Sequence, residues 1–202
     1  MIYISIDLET TGLNPAKHSI LEFGAVLEDT SKNIPLEDLP RFQTYINVGD
    51  YVVGSPFALQ MNAAILKRIA IQEEGYTYMD IEELGESFFS WLRETLPEDY
   101  WKKNYSKTKE AITITVAGKN FGTFDLNFLN NAPWFNHNIR IRHRIIDPSM
   151  YFVDWENDES LPGLNKCLER AGVNTEVTHN AVDDALDVIN VLRTVYGDAN
   201  GE

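Results

Sequence analysis

Seven residues near the start, Asp7-Leu8-Glu9-Thr10-Thr11-Gly12-Leu13, constrain what this chain can fold into more than any other stretch. They follow a run from Met1 to Ile6 in which Ile2, Ile4 and Ile6 share one face, the period-2 pattern of a strand. If the strand continues through Glu9, Asp7 and Glu9 project from one side, about 6.6 Å apart along the backbone. Carboxylates held that close repel. Either one takes up a proton or a dication neutralises both. Gly12 then breaks the strand. A strand end carrying two solvated acids is the plainer alternative.

A chain of 202 residues is most simply one domain, able to bury roughly 70% of its unfolded surface. The formal net charge of -14 makes a broad basic face for gripping duplex unlikely on electrostatic grounds. Any nucleic-acid substrate has to be held locally. The one cysteine, Cys167, cannot form an internal disulfide, lies in an apolar-patterned segment as core filler, and suits a reducing compartment, the cytoplasm. No signal peptide is expected, because the N-terminus runs straight into the Asp7 strand, and no apolar run is long enough for a membrane span.

In chain order, residues 20–27 read as a second strand, paired to the first through a turn at Asn14-Pro15, and residues 39–48 as a third, which favours an antiparallel meander. Ser55-Pro56 is a helix start, and residues 57–70 carry Met61, Ile65 and Ile69 at helical spacing. A second helix spans residues 81–96, with Leu84, Phe88, Trp91 and Leu92 on one face. Residues 97–110 read as a loop or mobile flap, and residues 197–202 as a tail. Ile112, Ile114 and Val116 form a fourth strand, and residues 139–146 a fifth that ends at Asp147-Pro148. Asp147 reads as a turn starter. Arg140, Arg142, His143 and Arg144 are either a solvated strand edge or a rim that draws in phosphates. Residues 162–172 read as a helix stopped by Gly172.

Asp125 opens a short helix just beyond the fourth strand. It is either a helix-start partner or a site residue at the strand end, where an open α/β sheet places its chemistry. The last helix runs from near His179 to Tyr196. At about 100° per residue, Asp184 falls at the edge of the stripe made by Ala181, Ala185, Val188, Leu192 and Val195. Asp183 falls beside Asp187 and Asn190 on the wet face. An inward carboxylate needs a partner, and Arg193 lies on the opposite side of the helix. Inward acids on three segments, with His179 just before the last helix, suit two divalent metals, and hard oxygen ligands favour Mg²⁺ or Mn²⁺.

Asp7-Leu8-Glu9-Thr10-Thr11-Gly12-Leu13, then Phe124-Asp125 with Phe128-Leu129, then His179-x-Ala181-x-x-Asp184 resemble, in order, the three motifs of the DEDDh (DnaQ-like) 3′→5′ exonucleases. The resemblance covers nearly the whole chain. It implies a ribonuclease H-like α/β fold: a mixed five-stranded sheet, its first three strands antiparallel, flanked by helices. It further implies that Asp7, Glu9, Asp125 and Asp184 hold two metal ions about 4 Å apart, with His179 as general base toward the attacking water. Thr10 would contact the terminal sugar, Leu13 would wedge against the terminal base, and Phe124 would support the nucleotide pocket. Many members carry His-Asn where this chain has Asn120-Phe121. Oligoribonucleases share the Asn, which puts Asn120 among the substrate-binding candidates. The expected activity is release of nucleoside 5′-monophosphates from the 3′ ends of single-stranded or short DNA or RNA. The alternatives are a non-catalytic interaction module and a proofreading subunit acting with a separate polymerase. The oligomeric state is left open, a homodimer included.

Overall fold

The computed structural model describes residues 1–173 and 180–197. The opening meander is present. Strand β1 (Ile2–Thr10) pairs antiparallel with β2 (Ile20–Asp29), and β2 with β3 (Arg41–Ile46). The turn between β1 and β2 is built by Asn14, whose side chain accepts from the Ala16 N–H and whose carbonyl accepts from the Lys17 and His18 N–H groups.

Helices α1 (Pro56–Met61) and α2 (Ala63–Ile71) follow, then β4 (Tyr78–Met79), α3 (Leu84–Thr95), α4 (Glu98–Asn104) and β5 (Tyr105–Ser106). After these come β6 (Ala111–Ile114), β7 (Val116–Ala117), α5 (Asp125–Asn131), α6 (Phe135–Asn138) and β8 (Ile139–Ile141). The described chain ends with α7 (Ser149–Phe152), α8 (Leu164–Arg170) and α9 (Ala181–Gly197). The main sheet is mixed, in the order β4-β3-β2-β1-β7, and β5-β6-β8 form a smaller one. The expected five-stranded α/β architecture is therefore correct, although its membership differs from the sequence reading.

Alternation along β1 sends side chains to two different interiors. Ile4, Ile6 and Leu8 join Phe23, Leu84, Phe88, Leu92 and Phe128 in the larger core, where the rings of Phe23 and Phe88 meet edge to face at 4.9 Å. Tyr3 faces the other way with Val26, and both pack on Val182, Ala185, Val188, Ile189 and Leu192 of α9. The same alternation aims Asp7 and Glu9 at the α9 side. Cys167 is fully buried with Leu168 and Val191, so it is core filler. Among the described residues, no helix is long and apolar enough to cross a membrane.

Four expectations need correction. The helix expected over residues 57–70 breaks at Asn62, which caps α1, opens α2 and donates its side-chain amide to the Thr10 carbonyl at 3.0 Å. Ile65 and Ile69 are buried as expected, but Met61 is 41% exposed because the break takes it off their face. Residues 97–110 are not a loop or flap throughout. Helix α4 has Glu98 and Asp99 in its first turn, Lys102 and Lys103 in its last, and Trp101 packed on Phe89 at 5.6 Å. The expected fourth strand divides at Thr115, because β6 pairs with β8 whereas β7 pairs with β1. The expected fifth strand likewise stops at Ile141 and regains pairing only at Ile146, opposite Ala117.

Helix α9 rests on β2 at Gly24, where an added Cβ would lie 2.3 Å from the Ala181 carbonyl carbon and the Val182 nitrogen. We expect Gly24→Ala to force these two elements apart at a cost of about 1–3 kcal/mol. Urea unfolding would read the loss. An unchanged midpoint would show that the helix does not seat there.

Candidate active site

Three elements supply the acids. Asp7 and Glu9 leave β1 on the α9 side, Asp184 sits in the first turn of α9, and Asp125 opens α5. Asp7, Glu9 and Asp184 each offer a carboxylate oxygen, and these oxygens all lie within 4.8 Å of one another. Asp125 stands beside this trio rather than in it. It is 2% exposed, accepts from the Leu8 N–H at 3.1 Å, and is the charged neighbour that acts most strongly on Asp7.

The electrostatics follow from this crowding. Burial, then repulsion from Asp125, Asp184, Glu9 and Glu22, holds the Asp7 carboxyl well above the usual carboxylate range. Burial pushes Glu9 up to about 7, with a hydrogen bond from Asn62 opposing the rise and Glu22 adding to it. Burial also pushes Asp125 up to about 8, against the pull of backbone N–H bonds from its own residue and Leu8. A cluster of hard oxygen donors whose mutual repulsion a cation would relieve fits a divalent metal such as Mg²⁺ or Mn²⁺.

The two acids at the start of α9 separate as expected: Asp184 is 7% exposed, and Asp183 is more open. Asp187 corrects the helix reading. It is only 9% exposed, because α8 covers a second side of α9 through Cys167 and Leu168 against Val191. His179 lies outside the described residues.

The other candidates scatter in character. The Thr10 hydroxyl is buried and donates to the Gly12 carbonyl at 3.0 Å. Leu13 is 81% exposed at the mouth of the same loop. Phe124 is half-buried against Phe128, ring centres 5.2 Å apart. Asn120 adopts a left-handed backbone conformation, donates its N–H to Asp147 at 2.9 Å, and accepts from Lys119 through its side chain. Asp147 also accepts from the Ser149 N–H at 2.9 Å, the turn role read for it. In the basic stretch Arg140, Arg142, His143 and Arg144 are all exposed; Arg140 donates to the Ile139 carbonyl and Arg142 to the Asn104 side chain.

Two buried polar residues at the site went unread. Asn62 reaches Thr10 and Glu9, and Glu22 lies directly across from Glu9. Glu22 did leave a trace, as the one acid inside the apolar run from Ile20 to Leu27.

The Exonuclease (RNase_T) family model matches residues 4–96, a span that contains Asp7 and Glu9 but stops short of Asp125 and Asp184. No curated protein matches the chain by sequence. Among solved structures, the nuclease domain of 3′hExo, a DEDDh family member bound to rAMP, aligns with a TM-score of 0.64 at 16% identity, over 98% of this chain and 92% of that one. The zinc-bound complex of E. coli exonuclease I with single-stranded DNA aligns at 0.62 and 16% identity, over 98% of this chain and 40% of that one. Cell-death related nuclease 4 (CRN-4) aligns at 0.62 and 16% identity, over 98% and 64%. This chain thus spans well under half of exonuclease I. At these identities the structures establish the fold alone, and the family model matches less than half of the chain.

The raised carboxyl pKa values carry a pH signature. A folded state that keeps protons the unfolded chain releases above about pH 4 loses stability as pH rises through that range. With Glu9 at about 7 and Asp125 at about 8, metal-free protein should lose thermal stability progressively as pH rises toward 8. Added Mn²⁺ should restore more of it at the alkaline end, where the ligands no longer have to give up protons. Differential scanning calorimetry checks both. A metal-free Tm that is flat across this window would contradict the crowding described here.

Proposed function

We propose that this chain, which has the fold of a DEDDh exonuclease domain and whose motifs resemble those of that family in order, is a 3′→5′ exonuclease dependent on two divalent metal ions, Mg²⁺ or Mn²⁺. Its substrates would be the 3′ ends of single-stranded or short nucleic acid, and its products nucleoside 5′-monophosphates. The observation that carries this reading is the convergence of Asp7, Glu9 and Asp184 within 4.8 Å, with Asp125 alongside.

In this reading the four acids hold the ions. When bound, these supply positive charge toward the scissile phosphate and make water a better nucleophile. The protein's own part is placement. Strand β1 fixes Asp7 and Glu9 in register, α9 brings Asp184 across them, and the Leu8 N–H orients Asp125. His179 takes the role of general base, since an imidazole titrates near neutrality. By the family resemblance Leu13, 81% exposed, would wedge against the terminal base, Thr10 would contact the terminal sugar, Phe124 would support the nucleotide pocket, and Asn120 is a substrate-binding candidate. The net charge of -14 favours short or single strands over long duplex. The related structures agree with that preference: exonuclease I was captured with single-stranded DNA and the 3′hExo domain with rAMP. A reducing, cytoplasmic setting suits the lone buried Cys167.

The test is incubation of 5′-labelled DNA and RNA strands with the protein and Mg²⁺, Mn²⁺ or EDTA. Stepwise shortening from the 3′ end that stops with EDTA is expected. Internal cleavage, or digestion indifferent to chelation, would reject the assignment. Asp184→Asn should lower kcat by about a thousandfold, the scale of losing one group that stabilises transition-state charge. Asp183→Asn, on the more open side of α9, should leave kcat within about twofold.

A further inference from the structure

Residues 102–144 carry eight of the chain's 17 Lys and Arg but only two of its 31 acids, Glu110 and Asp125, a local charge of +6 in a chain of -14. Part of this charge lies along one edge of the structure. Strand β8 pairs in parallel with β6, which sets Arg140 across from Thr113, and Ile146 pairs with Ala117. Among the described residues, no strand pairs with the other side of this segment. Between the two pairings residues 142–145 form no strand, and Arg140, Arg142, His143 and Arg144 are exposed.

The edge leads to the acids. The Ile146 carbonyl accepts from the Gly118 N–H at 3.0 Å, and a Cβ added at Gly118 would lie 2.8 Å from the Ile6 carbonyl, one residue before Asp7. The segment ending at Ile146 flanks β7, and β7 flanks β1, so two strand spacings, about 10 Å, separate it from the strand that carries Asp7. From Ala117 back to Thr113 adds about 13 Å.

The cations along this edge are held by neutral groups. Arg140 donates to the carbonyls of Asn136, His137 and Ile139, and Arg142 to the Asn104 side chain at 2.7 Å. Lys103, in the last turn of α4, lines one cavity of about 540 Å³ with Arg142. Asp29 and Asp99 also line it, and Asp29 is paired with Lys32 at 3.5 Å. Among the described residues, Lys103, Arg140, Arg142 and Arg144 form no ion pair, although acids outnumber cations 31 to 17. A guanidinium held by neutral oxygens is oriented yet keeps its charge and spare N–H donors. Charge on an edge strand also repels a second chain. That task is open to either sign, whereas positive charge leading to a phosphodiester-cleaving centre suits a polyanion.

We propose that Arg142 and Arg144, with Arg140 and Lys103, form a phosphate-binding edge for the 5′ part of a single strand whose 3′ end lies at the acids. The proposal rests on the exonuclease reading. At about 3.4 Å per stacked nucleotide, the edge and the approach to it span roughly seven nucleotides. A dinucleotide offers only its scissile phosphate and leaves the edge empty.

The test measures kcat and KM with Mn²⁺ on a dinucleotide and on a single strand of about 20 nucleotides, between about 50 and 200 mM salt. Arg142→Gln/Arg144→Gln is compared with Lys67→Gln/Lys166→Gln, which removes the same charge from exposed lysines off the edge. The edge pair should raise the long-strand KM about tenfold at the lower salt and make the slope of log KM against log salt shallower by about 1.4. Its kcat and its dinucleotide KM should stay within about twofold, as should the long-strand KM of the lysine pair. If the lysine pair raises that KM as much, net charge is at work and the proposal falls. If the edge pair leaves it unchanged in a protein that shortens strands, the edge charges serve to block pairing, the proposal falls and the exonuclease reading stands. A wild type that shortens neither substrate removes the reading and the proposal together. Should the edge pair fail to fold, Lys103→Gln/Arg144→Gln leaves the bond between Arg142 and Asn104 in place. A raised long-strand KM there supports the proposal, and an unchanged one overturns it.

Discussion

Burial of carboxylates that also repel one another is the constraint around which this fold is arranged. Keeping Glu9 ionised above its pKa of about 7 costs about 3 kcal/mol relative to water, and Asp7 and Asp125 are displaced in the same direction. What holds the acids together regardless is apolar. Val182, Val188, Ile189 and Leu192 of α9 bury against β1 and β2, each worth about 1.5–3 kcal/mol. Two such side chains match the cost of one displaced acid. The helix that brings Asp184 in therefore also supplies the burial that keeps it there.

A layer of neutral and charged polar groups stands behind the acids. Asn62 breaks a helix in order to reach the Thr10 carbonyl, and the Thr11 hydroxyl donates to Val53 at 2.6 Å, tying the segment before α1 to the end of β1. Gln43 on β3 donates to Glu22 on β2 at 2.6 Å, directly across the sheet from Glu9. The Asn62 and Thr11 bonds each join segments distant in sequence at the end of β1 where the acids emerge. The opposite face of the sheet has no such task and is filled with rings, Phe23 and Phe88 among them.

Much of this was legible in the amino-acid order because the signals are local. The period-2 alternation of β1 is written into six consecutive residues, Ser55-Pro56 marks a helix start, and the phase of Asp184 against Val188 and Leu192 follows from helix geometry. The misreadings have a common cause. Residues 97–110 look like a polar loop until Phe89 offers Trp101 a surface to pack on. Asp187 looks solvent-facing until α8 arrives to cover it. Ile112 to Val116 looks like one strand until its two halves find different partners.

The sequence by itself determined the class of fold, the identity of the acids and which side of the last helix faces the sheet, since period and motif spacing are properties of neighbouring residues. Only the tertiary structure decided that Asp125 stands beside the trio, that Asn62 holds the Thr10 carbonyl and Glu22 lies across from Glu9, and that Leu13 is left projecting into solvent. Those facts depend on which segment lies opposite which, and contacts between segments 52 to 117 residues apart leave no periodic mark in the chain.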